Sequence, residues 1–547
     1  MTSVPMESTH LGMVIGGSLE RGLEVKLNPA FPLEEAHVGS FVAIQGQSSR
    51  YFGIISDVSL EASDSSMRSA PPDVDDPFIA QIVSGTGVYG VATVSPQLTL
   101  GGDAFENLEG PKPARSIPAH FAPVYLASEE DVSAIFGTDD ERHIWIGSPL
   151  DMEGTQVCLD LEEFVKRSNG IFGKSGTGKT FLTRILLAGI LQKNVAVNLV
   201  FDMHSEYGWQ GTLEGGSGVK GLKQLFPAQV AVFSLDPESS RRREVSWDVD
   251  VKIGYGEIEP EDIEILAEAL NITPQGVTAV YALAKKFGQE HWLEKLLGSN
   301  GRDEISKLAE DVTENFQVLL TLHRRLRNLS RMGFLQRNLP QVNAVDRILK
   351  YLGDGQHVVL EFGRYGNELM AYILVANLLT RRIHQQYVRK TETAMGDRFQ
   401  EPRPLVITIE EAHRFLTPAV ASQTIFGTIA REMRKYKVAL LVVDQRPSGI
   451  DEEVLSQLGT RMTYLLDNDR DVDAVLSGTS GARELRRVLS RLDSRQQALM
   501  FGHALPMPVV VKTREYGTKE SYEELGLQSN RAIPKSEGKI DNRDLFG

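Results

Sequence analysis

Hydrophobic and polar positions along this chain change period twice. From residue 11 to about 145, short apolar or alternating runs at 12–16, 23–27, 40–44 and 51–55 are broken by glycine, asparagine or proline. Alternation of this kind predicts half-buried strands, and strands so short and evenly punctuated predict a small antiparallel barrel. The stretch from Glu61 to Pro77 is polar and proline-bearing, which predicts a mobile loop inserted between strands. Past residues 145–165 the runs become continuous: 195–201, 357–362, 405–409 and 438–443 are each almost wholly apolar, as strands buried on both faces require. A helix over 369–388 separates the second and third of these, which implies a right-handed crossover within one parallel sheet. Between the first and second runs, residues 259–353 read as helical. Pro260 suits a first helical turn, Ile263, Leu266, Ala267 and Leu270 follow helical spacing, and 305–322 predicts more helix. Further strands at 462–466, 498–501 and 508–512 extend the sheet, and the polar tail 517–547 is either disordered or docked on a partner.

One glycine-rich turn organises the rest. Gly173-Lys174-Ser175-Gly176-Thr177-Gly178-Lys179-Thr180 fits the P-loop pattern, with an extended run before it and an apolar helix over 181–191 after it. Glycines let the backbone N–H groups of Gly173, Ser175, Gly176, Thr177 and Gly178 face a phosphate, and the helix that begins there presents its positive dipole end to the same charge. Lys179 would reach the β- and γ-phosphates, and Thr180 would ligate Mg²⁺. A chance glycine turn is the alternative, and the complete eight-residue pattern with its apolar helix speaks against it.

Three strand ends then carry polar groups to the sheet edge where ligands bind in open α/β folds. The 195–201 run ends in Asp202-Met-His204-Ser-Glu206-Tyr207, in which Asp202 and Glu206 serve either a site or merely a turn and helix start. The 405–409 run ends in Glu410-Glu411-Ala412-His413. In P-loop ATPases the first such acid orients Mg²⁺ through water and the next polarises the attacking water; a glutamate-rich helix cap is the plainer alternative. The 438–443 run ends in Asp444-Gln445-Arg446-Pro447-Ser448, where Gln445 could hydrogen-bond a γ-phosphate. Arg431 and Arg434 share one helix face, to pair with Glu432 or a neighbour, or to reach an adjacent subunit's nucleotide, a contact that contributes about 10³ to 10⁵ in rate. The basic stretch 323–337 reads first as a solvated helix face, with nucleic-acid contact the alternative; the same choice applies to Arg241-Arg242-Arg243 in a predicted loop, and the arginines at 483, 486, 487, 491 and 495 read as a charged helix face.

Composition narrows the class. A chain of 547 residues suggests roughly two to four domains. Its 41% hydrophobic and 24% charged residues are those of a water-soluble globular protein. Cys158 is the only cysteine, which excludes an internal disulfide and a multi-cysteine zinc site. No run approaches the roughly 20 apolar residues of a membrane span, and the first residues lack a basic-then-apolar leader pattern, so the expectation is a cytoplasmic protein without a membrane partner. A net charge of −15 argues against a protein that coats nucleic acid, but not against a ring with a basic lining.

These motifs together resemble HerA-type ATPases of the FtsK/HerA branch of P-loop motors. The resemblance is carried by residues 173–180, by Asp202-x-His204-x-Glu206-Tyr207, by Glu410-Glu411-Ala412-His413, by Ala430-Arg431-Glu432-Met433-Arg434-Lys435-Tyr436, by 444–448 and by the terminal 499–508. It implies a HAS-type β-barrel over 1–145, a RecA-like α/β core over 146–255 and 354–516, a helical insertion over 256–353 and a tail over 517–547. It further implies ATP and Mg²⁺ as cofactors, a homo-hexameric ring that translocates double-stranded DNA, and a nuclease partner of the NurA type or, in defence systems, another effector subunit. Carried over by position, Lys179 and Thr180 bind phosphate and magnesium, Glu410 is the Walker B acid, Glu411 the catalytic base, Gln445 the sensor, and Arg434, with Arg431 second, the finger. Two departures stand out: the Walker B acid is glutamate rather than aspartate, and Met433 occupies the place of an expected glycine. RecA-like folds place pore loops after Glu411 and Gln445, which makes Arg414 and Arg446 candidate DNA contacts. A regulatory or scaffold ATPase governing an attached effector would use the same P-loop and glutamates; a small-molecule kinase fits the paired glutamates less well.

Overall fold

The computed structural model describes residues 9–69, 87–101, 110–212, 218–337, 343–396, 401–414, 425–493 and 496–526, with a few single positions between them. The predicted barrel forms from strands β1 (His10–Ser18), β2 (Gly22–Leu27), β3 (Phe41–Gln45), β4 (Ser49–Ala62), β5 (Val88–Gly101), β6 (Lys112–Pro113) and β7 (Pro123–Leu126). Their order is β2-β1-β7-β3-β4-β5, all antiparallel, and β5 also pairs with β2 and so closes the barrel, leaving β6 as a short addition on β5. Alternation along β3 splits its side chains between two cores. Val42 and Ile44 fill the barrel with Val14, Val25, Val94 and Val124, while Phe41 and Ala43 face the main core.

Strands β8 (His143–Pro149), β9 (Val157–Asp160), β10 (Asn169–Phe172) and β11 (Val197–Asp202) are followed by a small hairpin, β12 (Gln210–Thr212) and β13 (Gly218–Lys220). Next come β14 (Val230–Ser234), β15 (Val249–Asp250), β16 (Ile253–Gly254), β17 (Leu335–Gln336), β18 (His357–Glu361), β19 (Leu405–Glu410), β20 (Val438–Asp444), β21 (Thr460–Tyr464), β22 (Gln497–Gly502) and β23 (Val509–Thr513). Twelve of them make one sheet in the order β15-β14-β18-β11-β19-β20-β10-β21-β22-β23-β8-β9. Neighbours from β15 through β21 are parallel, as the continuous apolar runs predict, and the last four strands join antiparallel. The helix Lys179–Lys193 is buried from Leu182 to Leu191 on every side, because it lies between the sheet and further chain rather than at the surface. Among the described residues, no helix is long and apolar enough to cross a membrane.

Several expectations are corrected. The predicted 305–322 helix is two, Arg302–Asp311 and Phe316–Leu326, because Thr313 takes a left-handed φ of 58° and the Asn315 side chain caps the second by accepting the Gln317 N–H. The regular helix at Pro260 stops at Ile265 rather than reaching Leu270. Arg241 and Arg242 lie in the helix Pro237–Arg242, not a loop, since Asp236 accepts the Ser239 N–H and Pro237 takes the first helical position. Of the segment 61–77, residues 61–62 complete β4 and Ser66–Ser69 form a helical turn; most of the remainder lies outside the described residues. The tail begins with a docked helix, Lys519–Gly526, whose Glu524 carbonyl accepts from Gln192 on the buried helix at 3.0 Å; residues 527–547 lie outside the description. Arg483, Arg486 and Arg487 do share the helix Ala482–Leu489, where Arg486 pairs with Asp469 at 3.1 Å, whereas Arg495 lies outside the described residues.

Candidate active site

Between β10 and the buried helix the chain turns through Gly173, Gly176 and Gly178, at φ values of 151°, 77° and 111° that disfavour side chains. At Gly173 the need is also spatial, because a Cβ there would meet the Tyr464 Cβ at 2.6 Å. The loop is tied to both flanking strands: Gly173 N–H donates to the Asp444 carbonyl at 3.3 Å, and Lys174 N–H to the Leu465 carbonyl at 3.1 Å. Thr177, buried, donates its hydroxyl to the Lys174 carbonyl at 2.9 Å, while Ser175 and Gly176 form the exposed rim. Lys179 folds into this cradle, its ammonium donating to the carbonyls of Gly173 at 2.6 Å and Lys174 at 2.8 Å. Burial lowers its pKa, and the carboxylates of Asp444, Glu411 and Glu410 act in the opposite sense, which puts all three within electrostatic reach of the P-loop lysine. Thr180 stands half-buried in the first helical turn.

The strand order explains that proximity. β20 lies beside β10 and β19 beside β20, so the carboxyl ends of both strands open next to the loop. Glu410, the last residue of β19, is buried; its Oε1 accepts the Tyr207 hydroxyl at 2.8 Å, and its Oε2 is buried with no partner among the described residues. Burial raises its pKa, and the Asp202 carboxylate adds to the rise. Asp202 in turn accepts the N–H groups of Glu206, Tyr207 and Gly208 at 2.8, 2.9 and 3.1 Å. Asp202 is thus the anchor of a turn, and the turn delivers Tyr207 to Glu410. Arg184 buttresses it from the buried helix, donating to the Glu206 carbonyl at 2.6 Å and lying 5.5 Å from the Tyr516 ring and 5.9 Å from that of Tyr207.

Glu411, one residue on, leaves the strand at a φ of 51°, which few non-glycine residues adopt. Its side chain therefore points differently from that of Glu410. Gln445 donates to Glu411 Oε1 at 3.1 Å, and His413 Nε2 lies 3.7 Å from Oε2. Arg414 is half-exposed on the short helix Ala412–Arg414, and Arg446 is exposed after β20. The backbones of Arg431 and Arg434 follow the helix Ile425–Glu432 and the 3₁₀ turn Met433–Tyr436, but their side chains lie outside the described residues.

The structure thus gathers Lys179, Glu410, Glu411 and Gln445 at one sheet edge. It adds Tyr207, His413 and Asp444, which the sequence motifs contain without indicating a role. An unpartnered buried oxygen on Glu410, together with the Thr180 hydroxyl, supplies the hard oxygen donors Mg²⁺ prefers, and that ion commonly takes one or two protein ligands and fills its sphere with water and phosphate.

Residues 144–383 match the family model described as the central domain of helicase HerA. The chain is 25% identical over 422 residues to the DNA double-strand break repair helicase HerA of Pyrococcus furiosus, covering 73% of each protein. It is 25% identical over 416 residues to the protein of the same name from Sulfolobus acidocaldarius, covering 74% of this chain and 75% of that one. Among solved structures, VirB4 of Thermoanaerobacter pseudethanolicus superposes with a TM-score of 0.45 at 14% identity, over 71% of this chain and 100% of the other.

Proposed function

We propose that this chain, whose residues 144–383 match the HerA central-domain model, is a HerA-type P-loop ATPase: an ATP-driven double-stranded DNA translocase that works as a homo-hexamer with a nuclease partner of the NurA type. The observation that carries the reading is the convergence of Lys179, Glu410, Glu411 and Gln445 on adjacent strand ends, with Glu411 held by Gln445.

In this reading the N–H groups of the Gly173–Thr180 loop cradle the phosphates of ATP, and Lys179 exchanges its carbonyl partners for β- and γ-phosphate oxygens. Thr180 and, through water, Glu410 would hold Mg²⁺, which would neutralise charge developing on the phosphates. Glu411 accepts a proton from the water that attacks the γ-phosphorus, with inorganic phosphate and ADP as products. Gln445 lies between Glu411 and the loop bearing Arg446, so loss of the γ-phosphate is passed to that loop and, with Arg414, to DNA in the pore. Arg434, or Arg431 one turn earlier, reaches the neighbouring subunit's nucleotide. Ring geometry accommodates the net charge of −15, since six copies of a few arginines suffice to line a channel.

The test is ATP hydrolysis with and without long duplex DNA. A motor is stimulated by the duplex; a rate that ignores DNA while an attached effector still responds to nucleotide would instead mean a regulatory ATPase. Mass measurement with ATP should give a hexamer. Arg434→Ala should assemble without hydrolysing and recover partly when mixed with Glu411→Gln subunits, and no recovery would exclude a finger acting in trans.

A further inference from the structure

His413 and Asp444 take no part in the reaction as just described, yet they occupy its centre. Asp444 ends β20 fully buried, and its carboxylate accepts three donors: His413 N–H at 2.7 Å, His413 Nδ1–H at 3.0 Å and Arg446 N–H at 2.6 Å. Its carbonyl accepts from Gly173 of the P-loop at 3.3 Å. One residue therefore fastens the phosphate loop, the loop after β19 and the loop after β20. A carboxylate so deeply buried is tolerated because the three donors replace its water.

The imidazole continues this chain outward. With Nδ1 committed to Asp444, Nε2 faces Glu411 Oε2 at 3.7 Å, while Gln445 grips Oε1 of the same carboxylate at 3.1 Å. The hydrogen bond to Asp444 and the charges of Asp444 and Glu411 favour the protonated ring, and the imidazolium Nε2–H then holds Glu411 as an ion pair from its own loop while Gln445 holds it from the end of the neighbouring strand. Such holding matters at this residue because its backbone sits at a φ of 51°, a conformation that persists only where the surroundings impose it. Gly449 lies against the base of the same side chain: a Cβ there would stand 3.1 Å from the His413 Cβ, so the loop that carries Arg446 packs on this residue. The His413 ring is half-exposed and lies between two carboxylates.

We propose that His413, anchored on Asp444, is the positioning residue for Glu411: it fixes the orientation of the base relative to the P-loop and joins that orientation to the loop after β20. The inference rests on the reading of Glu411 as the base.

Two substitutions divide the imidazole's contacts. His413→Asn keeps a donor at the Nδ1 position for Asp444 and loses the reach to Glu411; His413→Gln places a donor near the Nε2 position. With the full-length protein, H413N should bind a non-hydrolysable ATP analogue within about twofold of the parent, while kcat falls on the order of 10²-fold, as expected when a catalytic group is misplaced by about an ångström. H413Q should recover about tenfold of that loss. The proposal is overturned if H413N turns over at the parent rate, if both variants lose kcat equally with analogue binding intact, or if analogue affinity and kcat fall together in both. Glu411→Gln, assayed alongside, separates the two levels. Its full activity would remove the base reading itself, whereas an inactive E411Q beside an unimpaired H413N would remove only the role of His413.

Discussion

The two edges of the parallel sheet are built from the same strands and treat polar groups in opposite ways. At the amino-terminal edge three buried neutral side chains bond to backbone groups. His357 Nδ1 accepts the Asn198 N–H at 3.1 Å, Asn198 donates to the Leu187 carbonyl at 3.2 Å, and Asn169 to the Phe164 carbonyl at 2.7 Å. At the carboxyl-terminal edge four adjacent strands, β18, β11, β19 and β20, end in the buried acids Glu361, Asp202, Glu410 and Asp444. Among the described residues, one oxygen of Glu361 and one of Glu410 are buried without a partner. Burying carboxylates costs stability, and leaving their oxygens unpaired costs more. Asn198 Oδ1 is also buried unpaired at the first edge, but what the second edge leaves unpaired is carboxylate oxygen beside the P-loop, so the two edges should fail differently: in rate at the second, in stability at the first.

Glu411→Gln gives the largest effect that can break this contrast. The amide keeps the size and the contact with Gln445 but cannot take a proton. Phosphate release should fall by about 10² to 10⁴, the usual contribution of a general base, with ATP binding retained. Full turnover would mean that the base lies elsewhere and that the carboxyl-terminal edge is less specialised than its charges suggest.

Tyr207→Phe probes the same edge more gently, because only the hydroxyl that orients Glu410 is removed. The Mg²⁺ concentration for half-maximal hydrolysis should rise about 10- to 100-fold, as for other groups that orient a metal-binding carboxylate, while nucleotide affinity measured without Mg²⁺ stays level. An unchanged Mg²⁺ requirement would make Tyr207 a packing residue.

How legible these edges are in the sequence depends on distance along the chain. The P-loop is a local pattern, and buried parallel strands are continuous apolar runs, so β11, β18, β19 and β20 fall within a few residues of where the runs predict them. Adjacent motif residues such as Glu410 and Glu411 are equally plain. Contacts between motifs are not: Tyr207 and Glu410 are 203 positions apart, His413 and Asp444 are 31 apart, and no spacing rule joins either pair. The sequence leaves Asp202 open between a turn and a site. The structure makes it a turn anchor whose product, Tyr207, reaches the site, a distinction that requires knowing what the turn points at. Arg243 was equally opaque: it pairs at 2.6 Å with Glu361, a strand end 118 residues away, which no run of three arginines announces.

The smallest effect belongs to the amino-terminal edge and is read as stability against pH. Burial lowers the His357 pKa to about 3, with the Arg403 charge adding to the shift, and the accepted Asn198 N–H leaves no room for a second ring proton. In the unfolded chain the imidazole protonates below about 6.5. Between those values the unfolded state binds a proton that the folded state refuses, so stability present above pH 6.5 is lost as pH falls, by about 1.4 kcal/mol per pH unit and ~2 kcal/mol by pH 5. The acids of the other edge oppose this. Burial raises Asp202 and Glu410, so the folded state takes their protons first and their cost lessens as pH falls. His357→Gln removes only the first contribution. Urea midpoints of the variant should therefore decline less between pH 7 and pH 5 than those of the parent, with kcat per folded molecule unchanged. Equal declines would show that the amino-terminal edge carries no acid sensitivity, and a loss of kcat would show that the two edges are not the separate structural and catalytic halves that their polar groups make them.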